Sequence, residues 1–233
     1  MSEATTSRRA RLRAETADEI KATALKALTT GGAAAISLRA IARDMGMTAG
    51  AIYSYFDTRD ALITALMVDI HNSLADAETV ALEGVPADDP GARLQAIALA
   101  YREWAVGNAE EFRLIYGDAV PGYEVPSEGP AREAAHRACA LLTDIVALGW
   151  PAAAAAQQVN SASWSDFDPT LARLVQQSHP GLPPEAVAVS IQIWGRLHGM
   201  VTLEIYGQLS NLTVDPGKLY GNDVTALTRS LAW

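Results

Sequence analysis

Arg39, Thr48, Tyr53, Ser54, Tyr55 and Arg59 lie within residues 37–62, SLRAIARDMGMTAGAIYSYFDTRDAL, and their side chains are the kind that grip phosphate oxygens and base edges. The hydroxyls of Thr48, Tyr53, Ser54 and Tyr55 can hydrogen-bond to phosphate. The guanidinium of Arg39 can pair with O6 and N7 of a guanine, which makes it the candidate for reading a base. Ala49, Gly50 and Ala51 between them are small enough to admit a helix deeply into the major groove or to touch thymine methyls. Such chemistry is reading rather than turnover. A tyrosine in a small helical domain also packs as core, so the spaced pattern as a whole has to carry the reading.

The surrounding apolar residues supply a frame for that pattern. Ser37 suits an N-cap, and Leu38, Ile41, Ala42 and Met45 follow at the three-and-four spacing of one helical face. Met45-Gly46-Met47 breaks this helix. Thr48 then suits the cap of a second short helix that turns Ile52 and Phe56 inward. Its free N–H groups also favour a phosphate near Thr48. A third helix over 59–82, with Leu62, Leu66, Met67 and Ile70 inward, would span on the order of 30 Å, enough to link two domains. Arg59 at its start is placed to reach the DNA backbone and fix the docking angle. A preceding helix over 11–28 carries Ile20, Ala24, Ala27 and Leu28 on one stripe and ends at Thr30-Gly31-Gly32. Residues 1–10 read as a disordered basic arm. Arg8, Arg9, Arg11 and Arg13 either track the minor groove and adjacent phosphates or simply solubilise the terminus.

The spacing Leu38-Arg39-x-Ile41-Ala42, Gly46, Thr48-x-Gly50-x-Ile52-Tyr53-x-x-Phe56, Arg59-Asp60-x-Leu62 closely resembles the amino-terminal domain of the tetracycline-repressor (TetR/AcrR-like) family of transcriptional regulators. Two departures are modest: Tyr55 stands where a histidine is frequent, and Arg59 where a lysine is common. Both keep a group able to bind phosphate. The resemblance implies an all-α protein, with a three-helix DNA-binding domain over 11–60 and a larger helical effector-binding and dimerisation domain over 61–233. It further implies Ser37, Arg39, Thr48, Ala49, Gly50, Ala51, Tyr53, Ser54, Tyr55 and Arg59 as the DNA-facing set.

The remaining chain agrees with an all-α reading, because no run alternates apolar with polar residues long enough to argue for a sheet. Helices are expected over 92–107, 109–116, 128–148, 152–163, 169–178, 184–209 and 222–231, punctuated by proline and glycine at 120–122, 149–151, 179–184 and 215–217. In the most apolar of them, Trp194-Gly195-x-x-His198-Gly199-x-x-x-Leu203-Glu204-x-x-Gly207 resembles the tryptophan/histidine-glycine (WHG) motif of one subclass of sensing domains. In that subclass the helix helps build a two-fold dimer interface. Gly195, Gly199 and Gly207 each cost a helix about 1 kcal/mol relative to alanine, for which close approach of another backbone can compensate. Tyr101, Trp104, Phe112, Tyr116, Trp150, Trp164, Phe167 and Trp194, with Asn160, Gln158 and His198 as polar contacts, suit the walls of a cavity for a small apolar or aromatic molecule. Each one taken singly suits the core equally well.

Charge is distributed as such a division of labour requires. Residues 1–60 hold nine Lys/Arg against seven Asp/Glu, a balance of +2, whereas the remainder holds nine against twenty, a balance of −11. Only the amino-terminal part needs to approach phosphates, so the overall acidity is no obstacle. Enzyme signatures are missing: there is no G-x-S-x-G elbow, phosphate-cradling glycine loop, dinucleotide fingerprint or H-E-x-x-H pair. His136 and Cys139 form at most half a metal site, so neither metal nor cofactor is expected. One cysteine and a polar, basic start without an apolar segment point to a reducing cytoplasm, and the longest uninterrupted apolar stretches fall short of a membrane span. The expected protein is a homodimeric, ligand-responsive regulator, most simply a repressor, with an operator duplex and a small effector as partners. The alternative is a dimeric small-molecule-binding protein without regulatory DNA binding.

Overall fold

The computed structural model describes residues 2–126, 128–156 and 161–233, and every regular element among them is helical. Ten α-helices run in order: α1 (Ser2–Gly31), α2 (Leu38–Asp44), α3 (Ala49–Tyr53), α4 (Arg59–Ala81), α5 (Pro90–Gly107), α6 (Ala109–Tyr116), α7 (Pro130–Ala156), α8 (Pro169–Ser178), α9 (Pro184–Ile205) and α10 (Pro216–Ser230). The chain divides into two compact units: Met1–Asn72 with Asn108–Ala135, and Ser73–Gly107 with His136–Trp233. Residues 61–72 and 108–135 therefore cluster with the amino-terminal unit, where the sequence placed everything after 60 in the second domain.

In the first unit Ile20, Ala24 and Leu28 bury one stripe of α1 among Ile36, Leu38, Ile41, Ile52, Leu62 and Leu66, and α1 packs against α2 and α6. The first helix begins at Ser2, so the segment expected to be a disordered arm continues the helix instead. It ends at Gly31-Gly32, where Gly32 takes φ 66 and a Cβ on Gly31 would lie 2.7 Å from that of Ala35. Three interactions tie the distant segment 108–135 into this unit. The Thr64 and Tyr123 hydroxyls meet at 2.9 Å, His71 stands edge-on to Tyr116 with centroids 6.0 Å apart, and Arg59 reaches the Pro121 carbonyl.

In the second unit α5 packs against α9 and α10, burying Leu94, Ile97, Val187, Ile193, Val201, Val224 and Leu227. The Tyr220 hydroxyl donates to the Ala98 carbonyl at 3.0 Å. Helix starts follow local rules: Asp89, Asp168 and Asp215 accept backbone N–H groups at the starts of α5, α8 and α10, each followed by proline. Here α10 departs from expectation. Pro216, read as a breaker, occupies the first turn, and the helix starts six residues before the expected Asn222.

Two further expectations are corrected. Gly149-Trp150-Pro151 does not end a helix, because α7 passes through Pro151 to Ala156. The Trp233 indole fills the space beside Gly149 and donates to its carbonyl at 2.9 Å, while Ala153 is fully buried, and this packing offsets the lost N–H of the proline. Gly207, expected inside α9, instead terminates it: with φ 73 it sits just past the end, while Gly207 N–H bonds Glu204 O and Gln208 N–H bonds Leu203 O. Helix α7 is also long and apolar enough, by length and composition alone, to cross a membrane over Pro130–Ala155, which the sequence reading did not anticipate. Its buried residues include Ala131, Ala134, Ala138, Leu142, Ile145 and Val146.

Candidate DNA-reading face and sensing residues

The turn between α2 and α3 is closed by two backbone bonds, Gly46 N–H to Arg43 O at 3.1 Å and Met47 N–H to Ala42 O at 2.7 Å. This pairing requires a left-handed residue between them, and Gly46 supplies it at φ 66. Thr48 then caps α3, its Oγ1 accepting from Ala51 N–H at 3.2 Å, which leaves the hydroxyl proton for an outside acceptor. Ser37 occupies the N-cap of α2 without a side-chain capping bond, contrary to expectation, and its side chain is exposed. On the inner side Leu38, Ile41 and Ile52 are buried, while Phe56 is only half-buried.

The outer side gathers most of the expected DNA-facing residues. Ala49 and Gly50 are exposed, Ala51 is half-exposed, and nothing in the described chain lies within 4 Å of where a Cβ on Gly50 would stand. Arg39 is exposed and makes no ion pair or side-chain hydrogen bond among the described residues. Tyr53 is 40% exposed, with its hydroxyl likewise unengaged. Ser54 and Tyr55 are more committed. The Ser54 hydroxyl donates to Ala51 O at 2.7 Å, and the guanidinium of Arg13 both donates to the Ser54 carbonyl and lies over the Tyr55 ring at 5.0 Å. Arg13 thus joins a positioning pair that sequence reading, which left it on a basic stretch, did not find.

Arg59 is half-buried and its guanidinium is engaged by the chain itself. Its Nε donates to Ile36 O at 2.9 Å, its Nη2 to Ala33 O at 3.0 Å and its Nη1 to Pro121 O at 3.2 Å. These bonds form a staple that fixes the start of α4 against the 33–36 turn and a loop 62 residues away, a role beside the expected phosphate contact. No local signal could reveal it, since two of its acceptors are alanine and proline carbonyls.

The expected sensing residues fall into separate groups. In the second unit Tyr101 is buried and its hydroxyl lies 2.7 Å from His198 Nδ1, while Trp194 stacks on the His198 ring at 4.8 Å and 22°. Burial lowers the His198 pKa, which favours the neutral ring at pH 7, and its Nδ1 is paired with the Tyr101 hydroxyl. Trp104 Nε1 donates to Ser73 Oγ at 3.1 Å, and Trp164 stands edge-on to Phe167 at 6.2 Å. Trp150 lines a cleft of about 420 Å³ with Pro151, His179 and residues 180–183, where His179 Nε2 meets Asp144 Oδ1 at 2.8 Å. Phe112 and Tyr116 pack on each other at 5.2 Å in the first unit. Asn160 and Gln158 lie outside the described residues.

Sequence reading missed Glu78. It is 7% exposed, has no hydrogen-bond or ion-pair partner among the described residues, and burial pushes its carboxyl up to about 8. The signal was present: Glu78 falls three and four residues after the buried Ala75 and Leu74, on the apolar stripe of α4. Cys139 is exposed, and no group of three or more metal-ligating side chains occurs among the described residues.

A short helix pair joined by a glycine turn, with a donor-bearing outer face, and a separate helical unit together define a helix-turn-helix DNA-binding regulator. Residues 20–66 match the family of bacterial regulatory proteins named for TetR, and residues 94–227 match the tetracycline-repressor-like C-terminal domain. The chain is 34% identical over 203 residues to the HTH-type transcriptional regulators Rv1816 of Mycobacterium tuberculosis and Mb1846 of Mycobacterium bovis, covering 86% of each sequence. The solved structure of SCO4313 is 31% identical with a TM-score of 0.72, covering 93% of this chain and 97% of that one. A Rhodococcus sp. RHA1 protein of unknown function shares the fold at 24% identity and a TM-score of 0.64, covering 92% of each chain. The chain belongs to the TetR family of transcriptional regulators.

Proposed function

We propose that this regulator is a homodimeric repressor that reads a palindromic operator and is released from it by a small apolar or aromatic effector. The observation that carries the DNA-reading part is the pairing of unengaged Arg39 and Tyr53 with the open surface at Gly50, on a frame whose inner side is buried. Thr48 and Tyr53 donate to phosphates, Arg39 reads a base, and Ala49 and Ala51 allow close approach. Ser37 adds a further hydroxyl, and Ser54 and Tyr55 act through their contacts with Arg13.

Support for the dimer comes from α9, which exposes Ile191, Trp194, Leu203 and Tyr206 and leaves the space beside Gly195 and Gly199 open. A self-complementary face of this kind suits a two-fold interface and fits the WHG-like motif on the same helix. Two-fold symmetry requires half-sites about 34 to 36 Å apart. The Tyr101–His198–Trp194 group and the Trp150 cleft provide walls for the effector, which is bound and not transformed. The effector acts by favouring the DNA-incompetent state, because equal affinity for both states shifts nothing, and α4 carries the change towards the recognition helices. Such a protein works in the cytoplasm, where its DNA is.

Fluorescence anisotropy with duplex DNA from upstream of its own gene tests this reading. Native protein binds with an affinity that falls steeply between 50 and 200 mM salt, values of the order used to count phosphate contacts. Tyr53→Ala weakens operator and random duplex alike. Arg39→Ala costs the operator about tenfold and relaxes preference at one base pair. If neither substitution changes binding to any palindrome at low salt, the DNA-reading assignment fails and a dimeric small-molecule-binding protein takes its place.

A further inference from the structure

Glu78 poses a physical question that neither the DNA-reading face nor the aromatic groups answer. A carboxyl buried without a hydrogen bond costs several kcal/mol if ionised and still forfeits its solvation if neutral, so buried polar groups in folded chains are nearly always paired. Here both oxygens lack a partner among the described residues, and Oε2 is wholly shielded from solvent. No intramolecular role explains the acid. It makes no ion pair, caps no helix, and a leucine or methionine would fill an apolar stripe at lower cost.

The neighbouring chemistry shows what is missing. The charge of Glu78 acts on Cys139 from α7 and on Tyr220 from α10, and neither is a cation. Arg102 on α5, whose charge also acts on Tyr220, is committed to Glu204 on α9 through Nε at 2.8 Å and Nη2. One turn earlier on α4 stand the fully buried Leu74 and Ala75. A metal ion is a poor match, since one carboxylate without further ligands cannot hold it, and no group of three ligating side chains occurs among the described residues. An organic cation with an apolar body matches both the unpaired acid and its surroundings.

We infer that Glu78 is the charge anchor of the effector site in the second unit, and that the effector class is a lipophilic cation, an apolar molecule bearing one positive charge. The inference rests on the proposal that this unit binds an effector. It adds a regulatory consequence, because Glu78 lies on α4, the continuous helix that starts at the Arg59 staple. The carboxyl is mostly protonated at neutral pH, so a bound cation displaces its proton. Cation affinity therefore rises with pH up to about 8 and levels off above it.

Tetraphenylphosphonium and tetraphenylborate, matched in shape and opposite in charge, test the inference by equilibrium dialysis against the full chain. Native protein binds the phosphonium at least tenfold more tightly than the borate at pH 8, and its phosphonium affinity increases ~50-fold from pH 6 to pH 8. Calorimetry at pH 7 in two buffers of different ionisation enthalpy reads close to one proton released per phosphonium bound. Glu78→Gln and Glu78→Leu abolish both the charge preference and the pH rise. Failure of the phosphonium to bind, a flat native pH profile, or a preference that survives in either folded variant overturns the inference. If both variants misfold, the native pH profile and proton release decide. Operator binding by native protein without any probe is measured in parallel, so loss of the DNA-reading assignment and loss of the cation site are separate results.

Discussion

Arg59 illustrates how the same residue type can serve two different ends of a DNA-binding module. At the surface a guanidinium is a point of contact with phosphate, but three backbone carbonyls converging from Ala33, Ile36 and Pro121 turn it into a structural clamp. A hydrogen bond from a charged donor contributes about 1.5 to 3 kcal/mol when broken singly, so losing three together is a large fraction of a domain's stability. Arg59→Ala is accordingly expected to lower the urea midpoint sharply, and Arg59→Lys to restore only part of it, because one ammonium does not reproduce the planar fork. The slope of log affinity against log salt separates the two roles. A clamp leaves the slope intact in the fraction that remains folded, whereas a lost phosphate contact reduces it by about one. Tyr55 is placed in a similar way: its ring lies under Arg13, which also donates to the Ser54 carbonyl and so ties the end of α3 to α1.

At the level of elements, local chemistry decides some helix ends and packing decides others. The α2 terminus needs nothing beyond its own residues, since Gly46 adopts a positive φ and Thr48 caps the next helix. The passage of α7 through Pro151 is different, because it depends on Trp233, 84 residues from Gly149. An ideal Cβ at Gly149 would stand 2.3 Å from Trp233 Cε2. Gly149→Ala therefore ejects the indole despite the better helix propensity of alanine, costing about 1 to 3 kcal/mol by overpacking. The expected readout is a red-shifted tryptophan emission with a lowered melting temperature. Retention of native emission would show that the helix or the indole shifts without cost.

The whole molecule carries its function through two units and, on the proposal made here, through a second copy. Helix α9 exposes apolar residues and leaves open space at Gly195. Gly195→Glu adds a charge to an exposed helical position where the chain itself offers no neighbour, so the monomer keeps or gains stability. Two copies of that charge would face a self-complementary surface. Sedimentation velocity is expected to show monomer at micromolar concentration, with operator affinity falling by more than tenfold. An unchanged dimer would move the interface elsewhere. The charge distribution is equally uneven, because a balance of +2 over residues 1–60 and −11 after them leaves the amino-terminal part the less repulsive to phosphate.

The helical class, the α2–turn–α3 frame and the residues that face outward from it are legible in the order of residues alone. These follow from interactions among neighbours: a three-and-four apolar spacing, a glycine able to take a left-handed turn and a threonine cap. The hydrogen bonds of Arg59, the continuity of α7, the assignment of Phe112 and Tyr116 to the first unit, and the isolation of Glu78 emerge from the folded chain. Each depends on groups brought together from distant parts of the chain, or, for Glu78, on the absence of any described partner to meet its charge. Spacing along a helix reveals which face a residue occupies. What that face meets is settled by packing.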